Sequence, residues 1–364
     1  MDSRLSRAVD RISSVGRLPL GTVGTVLLFL FAVQLLGAAT DAASPLLRRL
    51  FFRVVVGDAA ALGLSWLAAY ALGNGSVVAA LALSLFTADI VSVPQLFLLV
   101  AGSRLGAAAI VVFVGALDFF QKKRYTLQES VSLGLLAFLL TLSIYLPVTA
   151  LGYVALPWLR EPLQALTQNW SLGVRSLSVL EPLTAAITAR AGPALTFALA
   201  VALLFGSLTL FDRLLGTVDT ETLRERFFSR LQHTWVSFAV GLLVTGLTTS
   251  VAFSLGVVVP LYNRDYVTRE ELVPYVLGAN IGTLFDTVLV AVVLESAVGV
   301  AVVLELLVVA TGLTLAALFA LGTYSRGIFT AYDRLLDDRR LFVAFAIVLL
   351  AVPLALVLVP LATG

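Results

Sequence analysis

The sequence predicts an all-α polytopic membrane protein made of two inverted-topology repeats, each with a broken or re-entrant helical element. Three observations support this fold class. Of the 364 residues, 60% are hydrophobic and 13% are charged, with a mean hydropathy of +1.02, whereas soluble domains carry about 25% charged residues. Long apolar segments recur along the chain. The chain also resembles itself at one offset of 176 residues, which relates Gly102 to Gly278.

The apolar segments give the order of the predicted helices. A spanning helix needs about 20 apolar residues, and the segments that satisfy this length are 22–40, 94–118, 131–155, 193–215, 272–294, 298–322 and 341–360. Two further apolar stretches, 54–90 and 234–262, contain a break, the first at Gly73-Asn74-Gly75 and the second at Thr248-Thr249-Ser250. Broken segments at matching places in two halves indicate a transport site.

The distribution of Lys and Arg predicts the orientation, with the N-terminus in the cytoplasm. The basic connections at 119–130 and 323–340 then also lie in the cytoplasm. The basic stretch 46–53 falls outside, so we predict that it is an amphipathic helix at the membrane interface. The predicted organisation is a cytoplasmic lead-in (1–20), a first transmembrane repeat (21–156), an external loop (157–192), a second repeat (193–322), and a cytoplasmic loop with a final transmembrane helix (323–364).

Composition excludes several classes of function. A net charge of +2 argues against nucleic-acid binding, which calls for a clustered basic surface. The chain has no Cys and one His, so the sequence offers neither thiolate sites nor a multi-His metal centre. Neither a nucleophile triad nor a nucleotide-binding motif occurs. We therefore expect no enzyme activity and no resident metal or cofactor.

The internal repeat links three separate features at the same offset. The segment "LRRLFFR" at 47–53 aligns with "LRERFFSR" at 223–230, and "VAGSRLG" at 100–106 aligns with "LGANIGT" at 277–283 through their paired glycines. The two broken regions also align. Because the first copy begins inside and the second begins outside, the sequence predicts an inverted-topology repeat, an architecture typical of secondary transporters.

Together these features resemble the sodium/phosphate cotransporter family. "LFLFAVQLLGAATDAASPLLRRL" at 28–50 is similar to the opening element of its repeat, and "GLLVTGLTTSVAFSLGVVVPL" at 241–261 is similar to its Gln-Ser-Ser-Ser region. "LGANIGT" matches its Gly-Ala-Asn-Ile-Gly-Thr motif. The resemblance implies a secondary active transporter of the plasma membrane that moves inorganic phosphate with sodium as the coupling ion. Homo-oligomer formation is left open.

The chain departs from the family at both Gln-Ser-Ser-Ser positions, so it resembles a divergent member. The first copy has Gly73-Asn74-Gly75-Ser76 and the second has Thr249-Ser250-Val251-Ala252. In the family, the side chains at these positions are taken to hold phosphate and sodium. The candidate substrate- and ion-binding residues at the breaks and in the matched motif are Asn74, Ser76, Thr248, Thr249, Ser250, Asn280 and Thr283.

Charged residues at membrane depth add two further candidates. Such charges are costly and therefore indicate function. Arg104 and Asp286 complete the set of candidate site residues, and Glu305 is a third deep charge. Arg104 occupies the position of Asn280 in the first copy. It can bind an anionic substrate, or it can be the buried partner of Asp286 or Glu305.

Two alternatives to sodium/phosphate symport remain open from the sequence. The first is a transporter of another small anion, coupled to protons through Asp286 or Glu305. The second is a membrane sensor or scaffold with the same fold that no longer transports.

Overall fold

The fold consists of helices throughout the part of the chain that is described. In this computed structural model, the described residues are 2–122, 127–167, 180–216, 233–249, 254 and 267–363, and they contain no β-strand. The helices, in chain order, are α1 (Asp2–Val54), α2 (Asp58–Leu72), α3 (Gly75–Thr87), α4 (Val93–Lys122), α5 (Leu127–Thr167), α6 (Glu181–Ala191), α7 (Pro193–Gly216), α8 (Thr234–Thr248), α9 (Arg269–Gly282), α10 (Leu284–Val293), α11 (Ala297–Phe319), α12 (Leu321–Asp337) and α13 (Arg339–Thr363).

Within the described residues, seven candidate membrane spans confirm that the chain is a helical protein of the multi-pass membrane type. They lie in α1, α4, α5, α7, α9 with α10, α11 and α13, and each overlaps one of the seven segments predicted from the sequence. Three further apolar helices, α2, α3 and α8, are too short to count as spans. These short helices occupy the two regions that were predicted to be broken.

The first predicted break is present as a sharp turn between α2 and α3. Gly73 ends α2 in the left-handed conformation with φ +64°, which glycine adopts at little cost. Asn74 then caps α3, because its Oδ1 accepts hydrogen bonds from the backbone N–H groups of Ser76 and Val77 at 2.9 and 3.1 Å. This cap satisfies two of the N–H groups that a helix start leaves without partners.

The repeat is visible in the limits of the helices. α2 and α8 begin and end at positions related by the 176-residue offset, and both end on a left-handed residue, Gly73 and Thr249. α4 and α9 also begin at related positions. Each has a reciprocal cap, between Ser92 and Gln95 in the first copy and between Thr268 and Glu271 in the second.

The paired glycines produce the same helix contact in both copies. A Cβ atom at Gly106 would lie 2.6 Å from the Trp66 carbonyl oxygen, and a Cβ atom at Gly282 would lie 2.7 Å from the Leu242 carbonyl oxygen. Trp66 and Leu242 are themselves related by the 176-residue offset. Glycine lets these backbones approach closely. Helix α4 therefore packs on α2 as α9 packs on α8.

Four segments differ from the sequence predictions. The stretch 46–53 is not a separate interfacial helix, because α1 continues through it to Val54. The predicted single span 272–294 is interrupted, with α9 ending at Gly282 and α10 beginning at Leu284. The connection after α11 is helical over α12 rather than an open loop. In the predicted external loop, α5 extends to Thr167 and α6 adds a second helical stretch.

Helix packing places the two copies against each other. α1 packs along α7, and α5 packs on both α4 and α11. The buried apolar side chains form one continuous core that includes Leu36, Phe97, Phe138 and Tyr275. The contact between α4, α5 and the α9–α10 junction encloses the polar site described next.

Candidate functional site

A partly open cavity lies where α4, α5 and α9 meet. It measures about 70 Å³ and is lined by Arg104, Ala107, Ala108, Ala137, Thr141, Tyr145, Val276, Ala279, Asn280 and Thr283. A single water needs about 10–15 Å³ measured in this way, so the cavity has room for several waters or one small oxyanion. The small alanine side chains leave this space unfilled. The polar lining groups come from Arg104, from α5 and from the end of α9.

Arg104 is almost fully buried, with 4% of its side chain exposed. Its Nη1 donates to the Thr283 carbonyl oxygen at 3.1 Å, and its Nη2 donates to Thr287 Oγ1 at 2.9 Å. The same Nη2 lies 3.8 Å from Asp286 Oδ1, and Thr287 Oγ1 donates to that oxygen at 2.9 Å. The break between α9 and α10 thus supplies a carbonyl, a hydroxyl and a carboxylate to one guanidinium group.

Three polar atoms of this cluster have no hydrogen-bond partner among the described residues. They are Arg104 Nε, Asn280 Nδ2 and Asp286 Oδ2. Buried polar groups are nearly always paired, and each exception requires an explanation such as an ion or ligand. Because Arg104 and Asn280 both line the cavity, an anion inside it would give the Arg104 Nε–H group an acceptor.

The backbone of Asn280 is held from two directions. Its carbonyl oxygen accepts hydrogen bonds from Tyr145 OH at 2.7 Å and from Thr283 Oγ1 at 2.8 Å. Its side-chain Oδ1 lies 3.0 Å from Thr141 Oγ1. Asn280 and Thr283 therefore belong to one hydrogen-bonded group with two residues of α5.

Of the nine predicted site residues, four come together here: Arg104, Asn280, Thr283 and Asp286. The first three line the cavity, and Asp286 pairs with Arg104. Asn280 is the counterpart of Arg104 at the 176-residue offset, so the two equivalent positions share one cavity. The pairing of Arg104 with Asp286 is the contact that the sequence offered as an alternative to anion binding.

The first-copy break lies beside this group but does not line the cavity. Gly75 contacts Ser103 and Ala107, the neighbours of Arg104 on α4. The Asn74 amide oxygen is engaged as the cap of α3. Neither Asn74 nor Ser76 is among the described residues that line the cavity.

The second-copy break lies at the end of α8. Thr248 Oγ1 donates to the Val244 carbonyl oxygen of its own helix at 2.6 Å, and Thr249 has φ 52°. Ser250 lies outside the described residues. Thr245, one turn earlier, is fully buried, and its Oγ1 has no partner in the described part of the chain.

Two lining residues, Thr141 and Tyr145, were not predicted from the sequence. They lie on α5, outside the repeated motifs, in a segment that reads as an ordinary apolar span. A signal was present, because polar residues four apart share one face of a helix. Polar side chains inside an apolar span usually face the protein interior or a cavity.

Comparison with known proteins adds an independent finding. Residues 203–355 match the family model described as Na+/Pi-cotransporter. The resemblance seen in the sequence is confirmed. The match runs from α7 into α13 and includes Asn280, Thr283 and Asp286 of the site. Comparisons with curated proteins and with solved structures found no match to the chain.

The matched Na+/Pi-cotransporter segment covers most of the second predicted repeat, from residue 203 to 322, and continues to residue 355. Arg104 belongs to the first copy, which lies outside residues 203–355. The cavity is therefore made by a segment with family similarity and by a segment linked to it through the internal repeat. The family is one of transporters, in agreement with the expectation that the chain is not an enzyme.

Proposed function

We propose that the protein is a secondary active transporter that carries inorganic phosphate together with sodium across the cell membrane. The observation that carries this proposal is the cavity in which Arg104 and Asn280, equivalent positions of the two copies, meet. A guanidinium group is well suited to a phosphate oxyanion, because its hydrogen bonds are charge-assisted. The Na+/Pi-cotransporter match supports both the substrate and the coupling ion.

The transport mechanism that fits this arrangement is alternating access between two inverted repeats. Three observations support two copies of one structural unit. The limits of α2 and α8 are related by the 176-residue offset, α4 and α9 have matching caps, and the glycine contacts are equivalent. In such architectures, one repeat moves against the other around a site near the membrane midplane. With the N-terminus in the cytoplasm, the second copy would have the opposite orientation to the first.

The end of α8 is the proposed location of a sodium ion. The carboxyl end of a helix carries partial negative charge, and hydroxyl oxygens are neutral ligands for a cation. Thr245, Thr248 and Thr249 bring hydroxyls to this end, and Ser250 follows them in the sequence. Thr245 also packs directly against Gly282, which would place a bound cation close to the anion cavity.

Glu305 supports a second candidate function, proton-coupled transport of another small anion. The residue is fully buried in α11, and neither carboxylate oxygen has a hydrogen-bond partner among the described residues. A buried carboxylic acid can exchange a proton when its surroundings change. In this candidate function, Glu305 or Asp286 replaces sodium as the coupling element.

Tracer uptake into proteoliposomes tests the proposal. Purified full-length protein should accumulate radioactive phosphate when an inward sodium gradient is imposed, and should not do so when choline replaces sodium. Accumulation driven by a pH gradient without sodium would favour the proton-coupled candidate. The proposal is wrong if uptake of phosphate, and of every anion in a wide panel, is no higher than uptake into protein-free liposomes. The chain would then be a non-transporting sensor or scaffold.

A further inference from the structure

The hydroxyl group of Thr141 makes two contacts that compete for one proton. Thr141 Oγ1 lies 2.9 Å from the Ala137 carbonyl oxygen and 3.0 Å from Asn280 Oδ1. Each of these oxygen–oxygen contacts needs a proton between the two atoms, and a hydroxyl has a single proton to donate. At the same time, Asn280 Nδ2 is buried with two protons and has no acceptor among the described residues.

Reversing the Asn280 amide removes the competition for the Thr141 proton and gives one of the two amide protons an acceptor. The oxygen and nitrogen of an amide have nearly the same shape, so their assignment follows from the hydrogen bonds they make. We infer that Asn280 donates its amide N–H to Thr141 and turns its amide oxygen towards the cavity. Thr141 then donates its proton to Ala137, as Thr side chains in helices commonly do, and accepts from Asn280.

The orientation of the amide is well determined because the rest of Asn280 is fixed. Its backbone carbonyl accepts from Tyr145 and Thr283, and its side chain is 5% exposed. The amide therefore has two orientations, and Thr141 distinguishes between them. Thr141 is a positioning residue, since it acts on the substrate through Asn280.

The reversed amide changes which anions the cavity favours. Because Arg104 and Asn280 both line the cavity, it then offers a donor, Arg104 Nε–H, and an acceptor, Asn280 Oδ1. Hydrogen phosphate and arsenate match this pair, since each has charged oxygens that accept and an O–H group that donates. Sulfate has no proton near neutral pH, so its oxygen would face the amide oxygen without a hydrogen bond. The inference, which rests on the proposed function, is that Asn280 and Thr141 select protonated oxyanions.

Competition against radioactive phosphate in the full-length protein tests the selection. Unlabelled arsenate should compete about as well as unlabelled phosphate. Sulfate should compete about tenfold less well or worse, because an unpaired buried polar group lowers affinity by about a factor of ten. Thr141→Val removes the acceptor that holds the amide, so the preference for phosphate over sulfate should fall to about threefold or less. Thr141→Ser keeps the hydroxyl and should keep the preference.

Thr149→Val is the matched control. Thr149 lies on the same helix, has the same 7% exposure as Thr141, and bonds to the Tyr145 carbonyl of its own helix at 2.7 Å. This variant should leave the preference unchanged. Equal competition by sulfate and phosphate in the wild type, or an unchanged preference in Thr141→Val, overturns the inference while leaving phosphate transport intact. Absence of phosphate binding in the wild type overturns the proposed function and the inference together.

Discussion

Replacing Arg104 by Gln should destabilise the protein strongly, because it leaves the buried carboxylate of Asp286 without its cation. The separation of 3.8 Å between Arg104 Nη2 and Asp286 Oδ1 corresponds to an attraction of about 4 kcal/mol at an effective dielectric constant of about 20. Breaking a buried ion pair from one side costs roughly 3–5 kcal/mol. We therefore expect the free energy of unfolding, measured by denaturant titration in detergent micelles, to fall by about that amount.

Removing both charges separates the structural role of Arg104 from its role as a ligand. The double variant Arg104→Gln with Asp286→Asn buries no unpaired charge, so it should recover most of the lost stability. If Arg104 also binds the anion, the recovered protein should still lack high-affinity phosphate binding. Arg104→Lys keeps the charge but loses the planar fork, and should weaken phosphate binding with a smaller loss of stability.

An exposed ion pair provides the control. Arg269 and Asp333 are 3.1 Å apart with side chains 42% and 54% exposed, and such pairs contribute about 1 kcal/mol or less. Asp333→Asn should therefore change stability little. A stable Arg104→Gln variant would refute the reasoning on the ion pair. A double variant with normal phosphate binding and uptake would show that Arg104 is structural and not a ligand.

Three further predictions follow from the backbone and the topology. Thr249→Gly should raise the free energy of unfolding by about 1 kcal/mol, because Thr249 has φ 52°, which a β-branched residue adopts only with strain; unchanged stability would contradict this. Gly282→Ala should lower the free energy of unfolding by about 1–3 kcal/mol, because its Cβ would meet the α8 backbone. Gly312→Ala has open space around the new Cβ and should cost no stability, so equal losses of stability in the two variants would refute the packing argument. Single cysteines at the exposed positions Glu181 and Arg326 should react with an impermeant maleimide from opposite sides of the membrane, and labelling of both from one side would contradict the predicted orientation.

The positions of the two breaks in the apolar segments were predictable from the sequence. The first break was visible because Gly73 and Asn74 combine a residue suited to positive φ with a good helix cap. Arg104 and Asn280, which the 176-residue offset relates, line the same cavity, and this is what the predicted inverted repeat would produce, since such repeats place equivalent positions around one centre. These features depend on local residue chemistry or on internal symmetry, and both can be read from one chain.

Other features depended on tertiary contacts that no local pattern reports. The break at Thr283 directly follows Gly282, but the counterpart Gly106 lies inside the continuous helix α4, so a glycine alone does not account for the break. The Arg104 hydrogen bond to the Thr283 carbonyl accompanies it. Thr141 and Tyr145 became site residues only when α5 was placed against α9. The continuation of α1 through 46–53 shows that charge and amphipathicity alone did not mark a helix boundary.

The pairing of Arg104 with Asp286 also determines where the membrane voltage can act during transport. A guanidinium and a carboxylate together have no net charge. When the site without substrate is exposed first to one side of the membrane and then to the other, the intact pair therefore carries no net charge through the electric field. An unpaired Arg104 that crossed the whole membrane field would instead change in energy by about 2.3 kcal/mol for each 100 mV. Asp286→Asn should therefore produce transient currents in the absence of sodium and phosphate that the wild type lacks. In the proposed transport cycle, the pair would thereby confine the voltage dependence to the steps in which ions are bound.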